Sequence, residues 1–219
     1  TITELFQKHS YPFGVMVNLD GNRYLDEGAD FRNYTYVTYG RALLEQPNGL
    51  GFQIFDEKVK HLLRDEYHIP QVTMAQADTI EELAVRLDIN PEGLVKTINE
   101  YNAAVQQDVP YNPTVKDGRG TVGITPPKTN WAQTIDTPPY VGYAVTCGIS
   151  FTFGGVKINT RGQVVTNGQD AIPGLYAAGE MVGGLFYYNY PGGSGLSAGM
   201  VFGRLAGTSA AQDAMAKKD

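Results

Sequence analysis

Two blocks decide the reading of this 219-residue chain: Gly174-Leu-Tyr-Ala-Ala-Gly-Glu180 and Pro191-Gly-Gly-Ser-Gly195. The first reads as a short buried strand ending in a glycine turn, with Glu180 left at its edge. A carboxylate there suits ribose or ribityl hydroxyls. The second is a glycine-rich loop that runs into small, helix-forming residues from Leu196 to about Lys217. Gly192, Gly193 and Gly195 let the backbone approach a ligand closely. The first N–H groups of a helix carry partial positive charge, which suits phosphate or any group that develops negative charge. Alone, the loop is a tight turn that packs its helix on a sheet; together, the blocks point to a ligand.

Working outward, Phe153–Asn159 alternates around two glycines, Arg161-Gly162 turns, and Gln163–Thr166 returns. Tyr140–Thr146 is a strand. Residues 106–140, rich in Pro, Gly, Asp, Asn and Thr, read as a long irregular connection, either a functional loop or a domain junction. Asn90-Pro91 caps and opens a helix whose stripe is Leu94, Ile98, Tyr101 and Val105. Asp78-Thr-Ile-Glu-Glu opens another, running through Leu87. Asp56 caps a helix reaching about Tyr67, after a strand at 51–55. Residues 34–45 read as helix. Phe13–Leu19 reads as a strand, turned at Asp20-Gly21 into a second strand at Arg23-Tyr24-Leu25.

Composition narrows the function. Seventeen basic against 23 acidic residues give a net charge of −6, without the electrostatic footprint of a nucleic-acid surface. The lone Cys147 excludes a disulfide framework and a cysteine zinc site; we read it as a small packing residue. His61 and His68 lie seven residues apart, too far for a helical metal pair, and no metal site is expected. His9 is the third histidine, so none falls in the glycine-rich part to serve there as acid or base. No apolar run has the length of a membrane span. We read the chain as soluble and cytoplasmic.

The segment 173–207, closing with Val201-Phe-Gly-Arg-Leu-Ala-Gly207, closely resembles the C-terminal FAD segment of the fumarate reductase/succinate dehydrogenase flavoprotein family. Val15-Met-Val-Asn-Leu-Asp-Gly-Asn-Arg-Tyr-Leu-Asp-Glu27 resembles the start of that family's mobile capping domain. Phe151-Thr-Phe-Gly-Gly-Val-Lys-Ile-Asn-Thr160 resembles its re-entry into the FAD domain. Asp26-Glu-Gly-Ala-Asp-Phe-Arg-Asn-Tyr-Thr-Tyr36 and Asn189-Tyr-Pro-Gly-Gly-Ser-Gly-Leu196 are similar to the tricarballylate dehydrogenase branch. The resemblance implies an α+β capping domain over residues 1–140. It implies the C-terminal part of an α/β FAD-binding domain, Rossmann-like and of the glutathione-reductase type, over 141–219. The family's N-terminal Gly-x-Gly-x-x-Gly loop is not found at the start of the chain, which is expected to be the C-terminal half of a longer flavoprotein, its partner being the N-terminal half.

The resemblance further implies an FAD-dependent oxidoreductase acting on a CH–CH bond of a small carboxylate. Cofactor contact falls on Gly179, Glu180, Gly193, Ser194, Gly195 and Leu196. The N–H groups of Gly195 and Leu196 are expected at the N1–C2 edge of the flavin, where they would favour its reduced, anionic form. Arg32 is the candidate catalytic arginine, one residue further past the acidic pair than in fumarate reductases. It is a proton donor, a bidentate carboxylate clamp, or a surface residue. Substrate contact falls on Phe151, Thr152 and Gly154. Phe151 replaces a histidine and Tyr190 an arginine that bind carboxylates in fumarate reductases. Tyr190 is a second catalytic candidate, because ketosteroid dehydrogenases carry a tyrosine before Pro-Gly that assists a carbonyl-bearing substrate. Tyr187 and Tyr188 line a cleft or pack at a junction. The alternatives are a 3-ketosteroid dehydrogenase-like enzyme, or a catalytically silent fragment.

Overall fold

The computed structural model describes residues 6–149 and 151–216. The chain divides into two compact units, Thr1–Gly148 and Ile149–Asp219. Both mix helices and strands.

Unit 1 is built on a four-stranded antiparallel sheet of β1 (Val15–Val17), β2 (Leu50–Phe55), β3 (Met74–Ala77) and β4 (Tyr140–Thr146), in the order β1-β2-β4-β3. Side chains alternate across it, as the pleat requires. Val15, Val17, Phe52 and Ile54 face α2 (Ile80–Arg86) and α3 (Pro91–Ala104). Met16, Phe55, Val141, Tyr143 and Val145 take part in two clusters on the other side, with α1 (Arg32–Leu44) and the 3-10 turns Glu57–Leu62 and Asp65–Tyr67. In α3, Leu94, Ile98 and Tyr101 are all buried, each worth roughly 1.5–3 kcal/mol of apolar burial. Asn90 caps this helix by accepting from Gly93 N at 3.2 Å. Gly142 faces the Leu87 side chain so closely that a Cβ would meet it at 2.3 Å.

The expected boundary at residue 140 moves to Gly148. Strand β4 pairs with both β2 and β3, so residues 140–146 belong to the first sheet and not to the second unit. Two other expectations change. Arg23-Tyr24-Leu25 is not a strand: after one bridge, Val17 to Arg23, the chain leaves the sheet as Glu27 turns inward. Asp56 caps as expected, through Lys58 N, but it opens 3-10 turns instead of an α-helix. Within the Asp78–Glu82 start, the cap of α2 is Thr79, accepting from Glu82 N at 3.1 Å. Strand β3 was not expected.

Unit 2 holds the hairpin of β5 (Gln163–Val165) and β6 (Ala171–Tyr176), a parallel bridge from Val156 to Val182, and α4 (Ser194–Ala216). Its core cluster is small: Val164, Ala177 and Val182, with Ile158 against it. Strand β6 is largely exposed, against the expectation of burial. Gly162 makes the expected turn at φ +76°, pressed on Ala206 of α4. Lys217 lies outside the described residues.

Candidate functional site

In unit 2, the two sequence blocks meet. Strand β6 leads into a 3-10 turn, Gly179–Met181, opened by Gly179 at φ +81°. This turn packs on α4 where the helix offers glycines. A Cβ on Gly199 would sit 3.8 Å from the Gly179 Cα, and one on Gly203 would sit 4.0 Å from the Ala178 Cβ. Glu180 is exposed on the turn. Gly193, at φ +86°, sits beside the first turn of α4 with nothing within 4 Å of its Cβ position, and Gly179 and Gly184 are open in the same way. The loop is therefore not plugged by core side chains. Its bare backbone beside a helix N-terminus fits a planar, charge-accepting group such as flavin.

One helix-end donor is already used. Gly195 N donates to Tyr190 Oη at 2.7 Å, so the expectation that this N–H faces a flavin does not hold here. Gly195 is glycine because a Cβ would lie 2.6 Å from that hydroxyl. Ser194 is turned back on Pro191 O through its N–H at 3.1 Å and its hydroxyl at 2.5 Å. Leu196 is exposed. Tyr190 is buried and gathers an aromatic cluster: Phe151 at 4.4 Å, Phe186 at 4.8 Å and Phe153 at 6.4 Å between ring centroids. Two positions expected at the substrate thus touch each other, and neither carries a charge that could hold a carboxylate. Thr152 and Gly154 are exposed, with Thr152 Oγ1 donating to Gly154 O at 3.2 Å. Tyr187 and Tyr188 are exposed.

In unit 1, Arg32 opens α1 and lines a cavity of roughly 460 Å³ together with His9, Phe31, Arg64, Pro113 and Trp131. A buried ionic knot shapes this cavity. Glu27, fully buried, pairs with Arg23 Nη2 at 2.6 Å and accepts from Met16 N at 2.8 Å. Arg23 Nη1 donates to Pro126 O at 2.8 Å, Asn130 Nδ2 to Gly28 O at 2.8 Å, and Lys128 Nζ to Gly14 O at 2.5 Å. These bonds tie the irregular segment 126–131 to the hairpin that leads into α1. Trp131 then lies 5.3 Å from Phe31, centroid to centroid, at the cavity wall. Burial pushes the Lys128 ammonium down to about 8.

His9 faces Arg32, with Nδ1 3.3 Å from Nη1. Its burial, then the charges of Arg32 and Arg64, lower its pKa to about 4. His9, Arg64 and Trp131 were not singled out in the sequence. Only the irregular loop around Trp131 carried a signal. His61 and His68 are exposed, Arg41 is on the surface, and Cys147 is half-buried near Gly40. Among the described residues, no helix is long and apolar enough to cross a membrane.

Comparison with known proteins places these features. The profile of a family described as FAD binding domain matches residues 2–196. A probable fumarate reductase of Shewanella frigidimarina is 35% identical over 207 residues, covering 93% of this chain and 32% of that protein. The open conformation of a flavocytochrome c3 fumarate reductase superposes with a TM-score of 0.67 at 31% identity, covering 96% of this chain and 35% of that one. A 3-ketosteroid delta1-dehydrogenase from Sterolibacterium denitrificans shares the fold, with a TM-score of 0.69 at 24% identity over 97% of this chain and 42% of that one. The chain thus spans about a third of the length of the fumarate reductases it resembles.

Proposed function

We propose, from the premise that this chain belongs to the FAD binding domain family, that it is part of an oxidoreductase moving hydride between flavin and a carbon of a small carboxylate, with a proton moving at the neighbouring carbon. The cofactor is FAD. When bound, it supplies the hydride acceptor or donor; the chain supplies orientation and charge. The carrying observation is the packing of the Gly179–Glu180 turn on the glycine face of α4, beside the open Gly193. In this reading Glu180 accepts from hydroxyls of the flavin's sugar-like chain, and Gly193 and the remaining helix-end donors lie against its pyrimidine edge. The rest of the FAD-binding fold, with its pyrophosphate loop, is the partner of unit 2, in keeping with the share of the relatives' length covered here.

Unit 1 is the capping unit, and Arg32 is its catalytic arginine. It holds a substrate carboxylate bidentately or delivers a proton at the carbon next to hydride transfer. The finer substrate reading is a tricarboxylate such as tricarballylate, supported by the sequence at residues 26–36 and by the guanidiniums at the cavity. A second reading, a ketone-bearing substrate as in ketosteroid dehydrogenases, is favoured by Tyr190. Its oxygen accepts from Gly195 N, which holds the phenol at the start of α4.

Titration of the purified chain with FAD, followed by flavin absorbance after desalting, tests the cofactor half. Yellow protein that loses its colour in Gly193→Val supports the reading. A chain that stays colourless at saturating FAD, or a Gly193→Val chain that binds equally well, counts for the silent fragment. In the intact enzyme, Arg32→Lys should lower kcat by roughly a hundredfold or more, as loss of a positioned electrostatic donor does. A near-normal rate removes Arg32 from the reaction.

A further inference from the structure

The cavity of unit 1 carries a second guanidinium. Arg64 lies between the two 3-10 turns Glu57–Leu62 and Asp65–Tyr67. Its backbone is held by a relay of buried polar groups. Arg64 N donates to Ser10 Oγ at 3.1 Å, Ser10 N to Tyr67 Oη at 2.8 Å, and Tyr67 Oη to Gln53 Oε1 at 2.6 Å. This relay fixes Arg64 and the His9–Ser10 segment to strand β2. The Arg64 side chain itself is 43% exposed and, among the described residues, pairs with Glu66 at 3.3 Å. A solvated pair at that length is weak and exchangeable.

His9 lies in the field of both guanidiniums. Arginine can only donate, so His9 Nδ1 must accept from Arg32, and the ring is neutral. It adds no positive charge, and it holds Arg32 against the tyrosine stack of His9 on Tyr36, 5.1 Å away. The same cavity is lined by the apolar Pro12, Phe13, Phe31 and Trp131. No side chain caps the first turn of α1, which lines the same cavity. A pocket with two guanidiniums and a partly carbon-lined wall matches an anion with more than one carboxylate on a short carbon backbone.

We propose that Arg64 is a specificity-determining residue that takes a second carboxylate of the substrate, with His9 as the positioning residue that keeps Arg32 aimed at the first. This rests on the carboxylate reading of Arg32 above.

The chain's single tryptophan reports on the cavity directly. Emission of Trp131 is followed in the purified chain, without flavin, during titration with tricarballylate and with propionate. Tricarballylate should saturate the signal at lower concentration than propionate. Arg64→Gln should weaken tricarballylate by roughly tenfold, the size of a lost charge-assisted hydrogen bond, and erode its preference over propionate. Glu66→Gln, which releases Arg64, should tighten tricarballylate. His9→Phe should weaken both acids together. Equal tricarballylate affinity in the parent, Arg64→Gln and Glu66→Gln chains overturns the assignment of Arg64. If Arg32→Gln still weakens both acids, the carboxylate reading of Arg32 survives that failure. If Arg32→Gln binds both acids like the parent, the two fall together.

Discussion

The neutral His9 ring has a consequence for stability. Its folded pKa is lowered to about 4 from an ordinary 6.5, so between those values the unfolded chain binds more protons than the folded one. Stability therefore falls as pH drops from about 6.5 toward about 4, and the loss levels off below. With solvent screening at a half-buried site, the expected loss between pH 7 and pH 5 is on the order of 1 kcal/mol. Urea unfolding at the two pH values checks it, and His9→Asn should remove most of the difference. Glu27→Gln removes the carboxylate paired with Arg23, which is buried beside Lys128, and should cost about 3 kcal/mol by urea unfolding. At this scale the sequence was partly legible. Arg32 and Tyr190 carried recognisable neighbours. His9, Arg64 and Trp131 did not, because they are brought together by the Gln53–Tyr67–Ser10 relay and the ionic knot at Glu27, contacts between residues far apart in the chain.

Among the elements, those with local chemistry were readable. The Asn90-Pro91 start and its apolar stripe foretold α3, and Tyr140–Thr146 emerged with its expected bounds. Asn90→Ala should cost about 1 kcal/mol, the usual worth of an N-cap, seen as a lower urea midpoint with an unchanged slope. Where structure departed from expectation, a distant partner decided. Arg23–Leu25 gave up the sheet for the Glu27 pair, and β3 forms on a weak Met-Ala-Gln-Ala pattern because β4 offers it an edge. Helix α4 begins at a contact that tolerates no side chain. Gly195→Ala should push the Tyr190 hydroxyl off the helix end, since its Cβ would come within 2.6 Å. The expected sign is altered near-ultraviolet tyrosine circular dichroism with the far-ultraviolet helix signal kept. Unchanged tyrosine bands would mean that the contact does not order the cluster.

The two units differ in what they bury. Among the described residues, three core clusters lie in unit 1 and one small cluster lies in unit 2, whose α4 exposes Leu196, Met200, Val201 and Leu205. A chain ended at Gly148 should keep a cooperative urea transition, while residues 149–219 alone should melt without one. Protease digestion should accordingly leave a fragment close to residues 1–148. The order β1-β2-β4-β3 adds a constraint in time. The strand between β2 and β3 is the last of the four to be synthesised, some sixty residues after β3. During translation the ribosome releases β1, β2, α2 and α3 while the middle of their sheet is still inside the exit tunnel. Until it emerges, Phe52 and Ile54 have an open seam beside them, and this is the interval in which a nascent chain would be bound by chaperones.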